Sequence, residues 1–182
     1  TPNAVTFCCI LKACGNVQTL DKGREIHNAI ARNGFLGTNL FVSNALVNMY
    51  TKRGMLEKAR EVFDNLPCHD VVSWNALIGG YVEHGLFEEA LEFFERMQLL
   101  GISPNVITFV CILKACGSIQ TLEKGKQIHE SILNTCVLDA CTSDAPTLNT
   151  CINNKKEDVV MVGTSLVGMY VKCGVVDEAE KV

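Results

Sequence analysis

The sequence predicts an all-α protein built from stacked antiparallel helix pairs. Residues 1–35 recur at 103–137, at an offset of 102 residues, with nineteen of the thirty-five aligned positions identical. Apolar residues also keep a helical period in every unit of the chain. A long repeat at constant offset is typical of repeat proteins, in which each unit buries its apolar face against the next.

Composition and charge limit the class of protein. Of the 182 residues, 48% are hydrophobic and 20% charged, which describes a folded chain, and no apolar run approaches the length of a bilayer span. The net charge of −4 disfavours a nonspecific basic surface for nucleic acid but permits recognition by local contacts. Because the chain does not begin with Met, we expect an internal fragment whose targeting segment lies outside it.

The ten cysteines form no CxxC pair. Several lie in apolar helical segments, so we expect reduced thiols in an intracellular compartment. Cys136, Cys141 and Cys151 with His129 are a zinc alternative, but their irregular spacing in an Asn/Asp-rich segment disfavours it, and no metal site is predicted.

The helices are predicted in pairs joined by short turns, with Gly15 and Gly34 ending the first two in a left-handed conformation. The predicted segments are 4–14, 20–33, 40–54, 55–66, 71–85, 86–101, 106–117, 122–134 and 160–174. The last of these repeats the third at an offset of 120 rather than 102, so about 18 residues are inserted between Cys136 and Asp158. That segment is polar and lacks a helical period, which predicts a loop projecting from the stack at about 137–158.

Aromatic and histidine residues are assigned to packing. The aromatic side chains recur at helical spacing and are expected in the core between helices; they are Tyr50, Trp74, Tyr81, Phe93 and Phe94. His27 and His129 occupy equivalent positions and have no metal-ligand spacing around them, so a packing or hydrogen-bonding role is expected.

The chain resembles the pentatricopeptide repeat family of plants, in its class of mixed repeat lengths. The resemblance is carried by the motifs LKACGNVQTLDKGREIH, NALVNMYTKRGMLEKAREVFDNLPCHD, VVSWNALIGGYVEHGLFEEALEFFERM and GISPN. Tetratricopeptide repeats have a similar length, but their Trp/Leu/Gly/Tyr and Ala/Phe/Pro positions do not recur here in register. The resemblance implies an α-solenoid, and we expect a right-handed superhelix whose first helices line a concave groove.

The repeat lengths of the family divide the chain into five units. They are a long repeat at 4–39, a short repeat at 40–70, a standard repeat at 71–105, a long repeat at 106–159 that contains the insertion, and a truncated short repeat at 160–182.

The resemblance implies that single-stranded RNA lies in the groove, with one base per repeat. In the family, the fifth residue of the first helix and the last residue of the repeat recognise the base. These positions hold Asn44 with Asp70, Asn75 with Asn105, and Thr164 in the truncated repeat. Aspartate only accepts hydrogen bonds and suits the N3–H of uracil, whereas an asparagine amide can donate to cytosine or adenine. In the family, Asn at the first position goes with pyrimidines and Thr with purines.

The expected RNA therefore has five bases. From 5′ to 3′ they are any base, then U, then either C or U, then any base, and last a purine. The long repeats offer Cys8 with Asn39 and Val110 with Val159, and are expected to be spacers or weak readers. Further positions of the family sandwich the bases or contact phosphate. The sandwiching positions hold Phe41, Val72 and Met161, and the phosphate positions hold Lys52 and Lys172, with Glu83 departing from the pattern.

No enzyme chemistry is predicted, because H-x-E with P-C-x-x-C, glycine-rich phosphate loops, HExxH and G-x-S-x-G are all missing from the sequence. We expect no catalytic residue, cofactor, small-molecule substrate or membrane contact. The favoured function is RNA binding within a mitochondrial or chloroplast RNA-processing factor that guides C-to-U editing, with editing-complex proteins as further partners. The alternative is a protein-binding scaffold; salt-sensitive RNA binding with a pyrimidine preference would separate the two.

Overall fold

All regular secondary structure in the described residues is helical, as predicted. The structure is a computed structural model and describes residues 2–15, 20–139 and 156–182. Its helices are α1 (Ala4–Gly15), α2 (Leu20–Arg32), α3 (Leu40–Lys52), α4 (Leu56–Asp64), α5 (Val71–Glu83), α6 (Phe87–Leu99), α7 (Val106–Ser118), α8 (Leu122–Asp139), α9 (Lys156–Lys172) and α10 (Val176–Ala179).

The chain forms two compact units. The first comprises Thr1–Leu86 with Leu99–Ile102, and the second comprises Phe87–Gln98 with Ser103–Val182. In the first unit α3 packs against α1, α2, α4 and α5; in the second α9 packs against α7, α8 and α10. Within the units, α3 and α4, and likewise α7 and α8, are joined by a short turn and pack against each other as helix pairs.

Each unit has its own apolar core. In the first unit the fully buried Trp74 packs edge-on against Phe63, with ring centroids 4.8 Å apart. In the second unit Ile112 and Leu113 of α7 and Leu166 of α9 are fully buried. The aromatic residues assigned to the core are buried, as predicted; they are Tyr50, Trp74, Tyr81, Phe93 and Phe94.

One glycine assignment is wrong. Gly34 follows α2 with a φ of 73°, as expected for a helix-ending glycine. Gly15, however, is the last residue of α1 and has no positive φ. Its missing side chain instead leaves room for a neighbouring helix, since a Cβ there would lie 3.3 Å from the Cδ of Lys52.

The edges of the predicted loop are also wrong. Helix α8 continues to Asp139, and α9 begins at Lys156, so residues 137–139 and 156–158 are helical. Glu157 and Asp158 place negative charge in the first turn of α9, where the helix dipole favours it. The rest of the predicted insertion, 140–155, lies outside the described residues.

Candidate nucleic-acid interface

Four of the first helices begin directly after an asparagine or aspartate that caps them. In each case the side-chain oxygen accepts a hydrogen bond from a backbone N–H in the first turn. The pairs are Asn3 with Thr6 (2.9 Å), Asn39 with Val42 (3.1 Å), Asp70 with Ser73 (2.8 Å) and Asn105 with Thr108 (3.1 Å). Sequence reasoning missed this role, although the spacings D-x-x-S and N-x-x-T signal it.

Two of these caps contain a second hydrogen bond in the opposite direction, from the backbone of the capping residue to the side chain three positions later. The backbone N–H of Asp70 donates to the hydroxyl of Ser73 at 2.9 Å, and the N–H of Asn105 donates to the hydroxyl of Thr108 at 3.1 Å. Such a capping box fixes the side chain at the helix start. The residues predicted to recognise bases at the second position are therefore also structural residues of the following helix.

The structure brings the predicted pair Asn44 and Asp70 together. The Nδ2 of Asn44 donates to the Oδ1 of Asp70 at 3.2 Å. The same carboxylate oxygen accepts the capping hydrogen bond from Ser73. Asn44 is only 7% exposed, and its own Oδ1 is buried without a hydrogen-bond donor in the described part of the chain.

The other predicted recognition residues lie on α5, at the start of α7 and on α9. Asn75 is half-buried on α5 in the first unit, and Asn105 is exposed at the start of α7 in the second, so their pairing stays a prediction. Thr164 is exposed on α9, where its hydroxyl donates to the carbonyl of Val160 at 2.6 Å.

The predicted base-sandwiching residues are large apolar side chains on the surface. Phe41 is 81% exposed, Val72 54% and Met161 46%. Val5 and Ile107, the second residues of α1 and α7, are exposed as well, although they were not among the predicted residues. All of them except Met161 are the second residue of their helix, since α9 begins at Lys156, and exposed apolar side chains at such a position are suited to contact with the faces of bases.

The predicted phosphate contacts, Lys52 and Lys172, are exposed, and so is Glu83 at the position that departs from the pattern. Both lysine stems lie against a glycine of the preceding first helix. A Cβ on Gly15 would be 3.3 Å from Lys52 Cδ, and one on Gly117 would be 3.2 Å from Lys172 Cδ. The apolar stem is thus packed while the ammonium group reaches water, as is common for lysine.

The two equivalent histidines make equivalent hydrogen bonds. His27 Nδ1 lies 2.7 Å from the hydroxyl of Tyr50, and His129 Nδ1 lies 2.9 Å from that of Tyr170, which confirms the predicted hydrogen-bonding role. Burial is the main cause that lowers the pKa of both imidazoles, and neighbouring glutamates, including Glu61 near His27, oppose it. Both rings are therefore held neutral to a lower pH than usual.

The described residues also bear on two other classes of site, metal centres and membrane-spanning helices. No group of three His, Cys, Asp or Glu side chains there is placed to hold a metal ion; of the zinc alternative, Cys141 and Cys151 lie outside those residues. None of the helices that the structure describes has both the length and the apolar character needed to span a membrane.

Comparison with known proteins identifies the family. A family model described as PPR repeat family matches residues 69–118, and one described as PPR repeat matches residues 41–71. The chain is 40% identical over 183 aligned positions to pentatricopeptide repeat-containing protein At5g16860 of Arabidopsis thaliana, covering all of the chain and 19% of that protein. It is 38% identical to the mitochondrial protein At3g09040 of the same plant, covering 97% of the chain and 15% of the relative.

A chloroplastic relative, At4g18520 of Arabidopsis thaliana, is 34% identical over 95% of the chain and 25% of its own length. The chain thus spans a quarter or less of these relatives. Among solved structures, it superposes on the pentatricopeptide repeat protein PPR10 in complex with an 18-nt psaJ RNA element with a TM-score of 0.70. That match has 22% identity and covers all of the chain and 24% of PPR10, and it supports the α-solenoid class. The chain belongs to the pentatricopeptide repeat family.

Proposed function

We propose that this chain binds single-stranded RNA and that its short and standard repeats each recognise one base. The observation that carries the proposal is the hydrogen bond between Asn44 and Asp70, which are 26 positions apart in the sequence. They occupy the two positions through which repeats of this family recognise a base. The exposed Phe41 and Val72, near the starts of α3 and α5, offer apolar surface on which a base can stack.

The finer parts of the proposal extend this function to the whole protein. We place the chain in the mixed-length class and in an RNA-processing factor that guides C-to-U editing, with editing-complex proteins as partners. Relatives named mitochondrial and chloroplastic support an organellar setting in plants. The RNA-bound state of PPR10 supports RNA rather than a peptide as the ligand of the groove.

Binding of short RNAs that differ at one base tests the proposal. We expect the affinity to fall with salt concentration and to favour uracil at the base facing the short repeat. Replacing Asn44 by Ala should reduce this preference, whereas Cys8→Ala, at the same helical position of a long repeat, should leave it unchanged. Salt-insensitive binding of a peptide, with no RNA binding by the folded chain, would contradict the proposal.

A further inference from the structure

We propose that a cavity between α2, α3 and α4 binds a phosphate group, either free or as the monoester of a small molecule. Arg24 on α2 and Lys58 on α4 bind its oxygens. The site involves none of the residues predicted to contact RNA, so the inference does not depend on the proposed function.

The cavity lies within the first unit and has a volume of about 220 Å³. Its lining residues come from the three helices and from the turn before α4; they are Arg24, His27, Asn28, Tyr50, Met55 and Lys58. None of these lining residues is acidic. The volume is below the roughly 300–1,000 Å³ usual for drug-sized ligands, which favours a small ligand.

The polar groups that line the cavity include several hydrogen-bond donors. The planar guanidinium group of Arg24 can bind two oxygens of a phosphate, and the ammonium group of Lys58 adds a second positive charge. Asn28 lies one helical turn after Arg24 on the same face of α2, and its amide adds a neutral donor. Arg24 is exposed and forms no ion pair with a carboxylate in the described part of the chain, so its charge is available to a ligand.

One carboxylate lies close to the cavity. An oxygen of Glu61 is 2.5 Å from Lys58 Nζ, and both side chains are about half exposed. Exposed ion pairs contribute little to stability, and an ammonium group has three N–H donors. Lys58 can therefore bind a phosphate oxygen with or without its contact to Glu61.

Tyr50 adds a buried hydroxyl to the lining. It is 3% exposed, and its oxygen lies 2.7 Å from Nδ1 of His27. Burial raises the pKa of this hydroxyl, Glu61 adds to the rise, and the guanidinium groups of Arg24 and Arg53 oppose it. The hydroxyl thus keeps its proton near neutral pH. When His27 carries a proton on Nδ1, the Tyr50 oxygen accepts that hydrogen bond and its own proton can be donated to the ligand.

The second unit repeats this arrangement with a different charge. The counterparts in the sequence are Lys126 for Arg24, Glu130 for Asn28, Tyr170 for Tyr50 and Glu178 for Lys58. Burial again raises the pKa of the tyrosine hydroxyl, but here Glu178 and Glu130 add to the rise. The neighbouring ion pair is also reversed, since Glu178 with Lys181 replaces Lys58 with Glu61. A phosphate is therefore expected to bind the first copy and to be repelled by the second.

A second cavity adjoins His27 and bears on the source of the phosphate. Its volume is about 310 Å³, and its lining includes the apolar side chains of Leu36, Val62 and Leu66 as well as Glu61. The apolar side chains give room for an organic group attached to the phosphate. A monoester with a small apolar group should therefore bind more tightly than free phosphate.

Titration of the full chain with inorganic phosphate and with phenyl phosphate, at constant ionic strength and without RNA, tests the site. We expect saturable binding of one phosphate per chain, with NMR shifts changing in α2 and α4. Arg24→Gln should weaken binding about tenfold, the effect of about one hydrogen bond to a charged group, and Lys58→Glu should abolish it. The matched control Lys126→Gln should leave it unchanged. Tighter binding of phenyl phosphate would identify a monoester as the ligand, and equal affinities would identify free phosphate.

The second unit also allows a gain of binding, which covers the case in which a variant of the first unit fails to fold. Glu130→Asn with Glu178→Lys introduces the side chains of the first copy and should raise the stoichiometry from one phosphate to two. A response that does not saturate, or an equal loss of binding in Arg24→Gln and Lys126→Gln, would overturn the proposal, because it would show only a general attraction to surface cations. Since no RNA is present, neither result bears on the proposed function.

Discussion

Individual residues at the starts of the first helices carry two roles at once. Asp70 uses one oxygen both to cap α5 and to accept from Asn44, and Asn105 caps α7 through its Oδ1. Asparagine and aspartate are comparable as helix caps. The side-chain group that is not used for capping is a hydrogen-bond donor in asparagine and an acceptor in aspartate. Exchanging them should therefore change recognition while preserving the helix.

The standard repeat offers the direct test of this exchange. Asn105→Asp replaces a group that can donate by one that only accepts, so the preferred base should move from cytosine toward uracil. Asn75→Thr shortens the side chain on α5 and should favour a purine. A mismatched base typically costs about 1–3 kcal/mol. Binding competition between RNAs that vary only at the facing base measures the change; unchanged preference in both folded variants would contradict recognition at these positions.

The buried histidines predict a dependence of stability on pH. Because burial lowers the pKa of His27 and His129 in the folded chain, the unfolded chain binds protons first as the pH falls below 6.5. Stability should be fully present above pH 6.5 and should decrease from there toward pH 5.5. Thermal unfolding from pH 7.5 to 5.5 measures this decrease. The double variant His27→Gln with His129→Gln should show a shallower decrease; an equal slope would show that other groups are responsible.

At the scale of the helices, the predicted helix starts were accurate where they depend only on the local pattern of apolar residues. The starts of α1, α3, α5 and α7 follow from the apolar period, since a helical face must be buried at regular intervals. Sequence reasoning failed at Gly15, because that outcome depends on what packs against the helix, and it failed at the end of α8. The pairing of Asn44 with Asp70 was expected only from the family resemblance, since the two residues are 26 positions apart in the sequence.

Close packing between α3 and α5 yields a prediction about helix contacts. A Cβ at Gly80 would lie 2.4 Å from the Cβ of Thr51, so Gly80→Ala should destabilise the chain by about 1–3 kcal/mol through overpacking. Gly168 on α9 is a matched control, because a Cβ there meets nothing within 4 Å. Gly168→Ala should stabilise the chain by up to about 1 kcal/mol through helix propensity. Denaturant unfolding compares the two, and equal stabilities would contradict the packing argument.

At the scale of the whole molecule, the duplicated sequence produces duplicated contacts inside each unit. His27 with Tyr50 corresponds to His129 with Tyr170. Met49 lies against the glycine at position 23 just as its counterpart, Met169, lies against the glycine at 125. The all-α class could be predicted from the helical period of the apolar residues, and the internal repeat from the constant offset between similar segments. The handedness of the predicted superhelix remains a prediction.

The net charge and the number of recognition pairs together predict weak binding. The chain carries a charge of −4 and offers two complete pairs, so we expect a dissociation constant above roughly 1 μM at physiological salt. If Lys52 and Lys172 both contact phosphate, the logarithm of the affinity should fall against the logarithm of salt with a slope of about −1.4. Lys52→Gln should reduce the slope by about half. Nanomolar binding to arbitrary RNA would contradict this prediction.

The capping role of Asp70 and Asn105 has a consequence for how such arrays can evolve. Under the proposed base recognition, a mutation at these positions is tested twice, once by the stability of the following helix and once by the RNA. Asparagine and aspartate interconvert by a single nucleotide change and both satisfy the helix, so a protein can acquire a new target site without passing through an unstable intermediate. A side chain that cannot accept the capping hydrogen bond at these positions would destabilise the following helix, whatever base it preferred. The presence of Asn or Asp at positions 3, 39, 70 and 105 therefore reflects the helix as much as the nucleic acid.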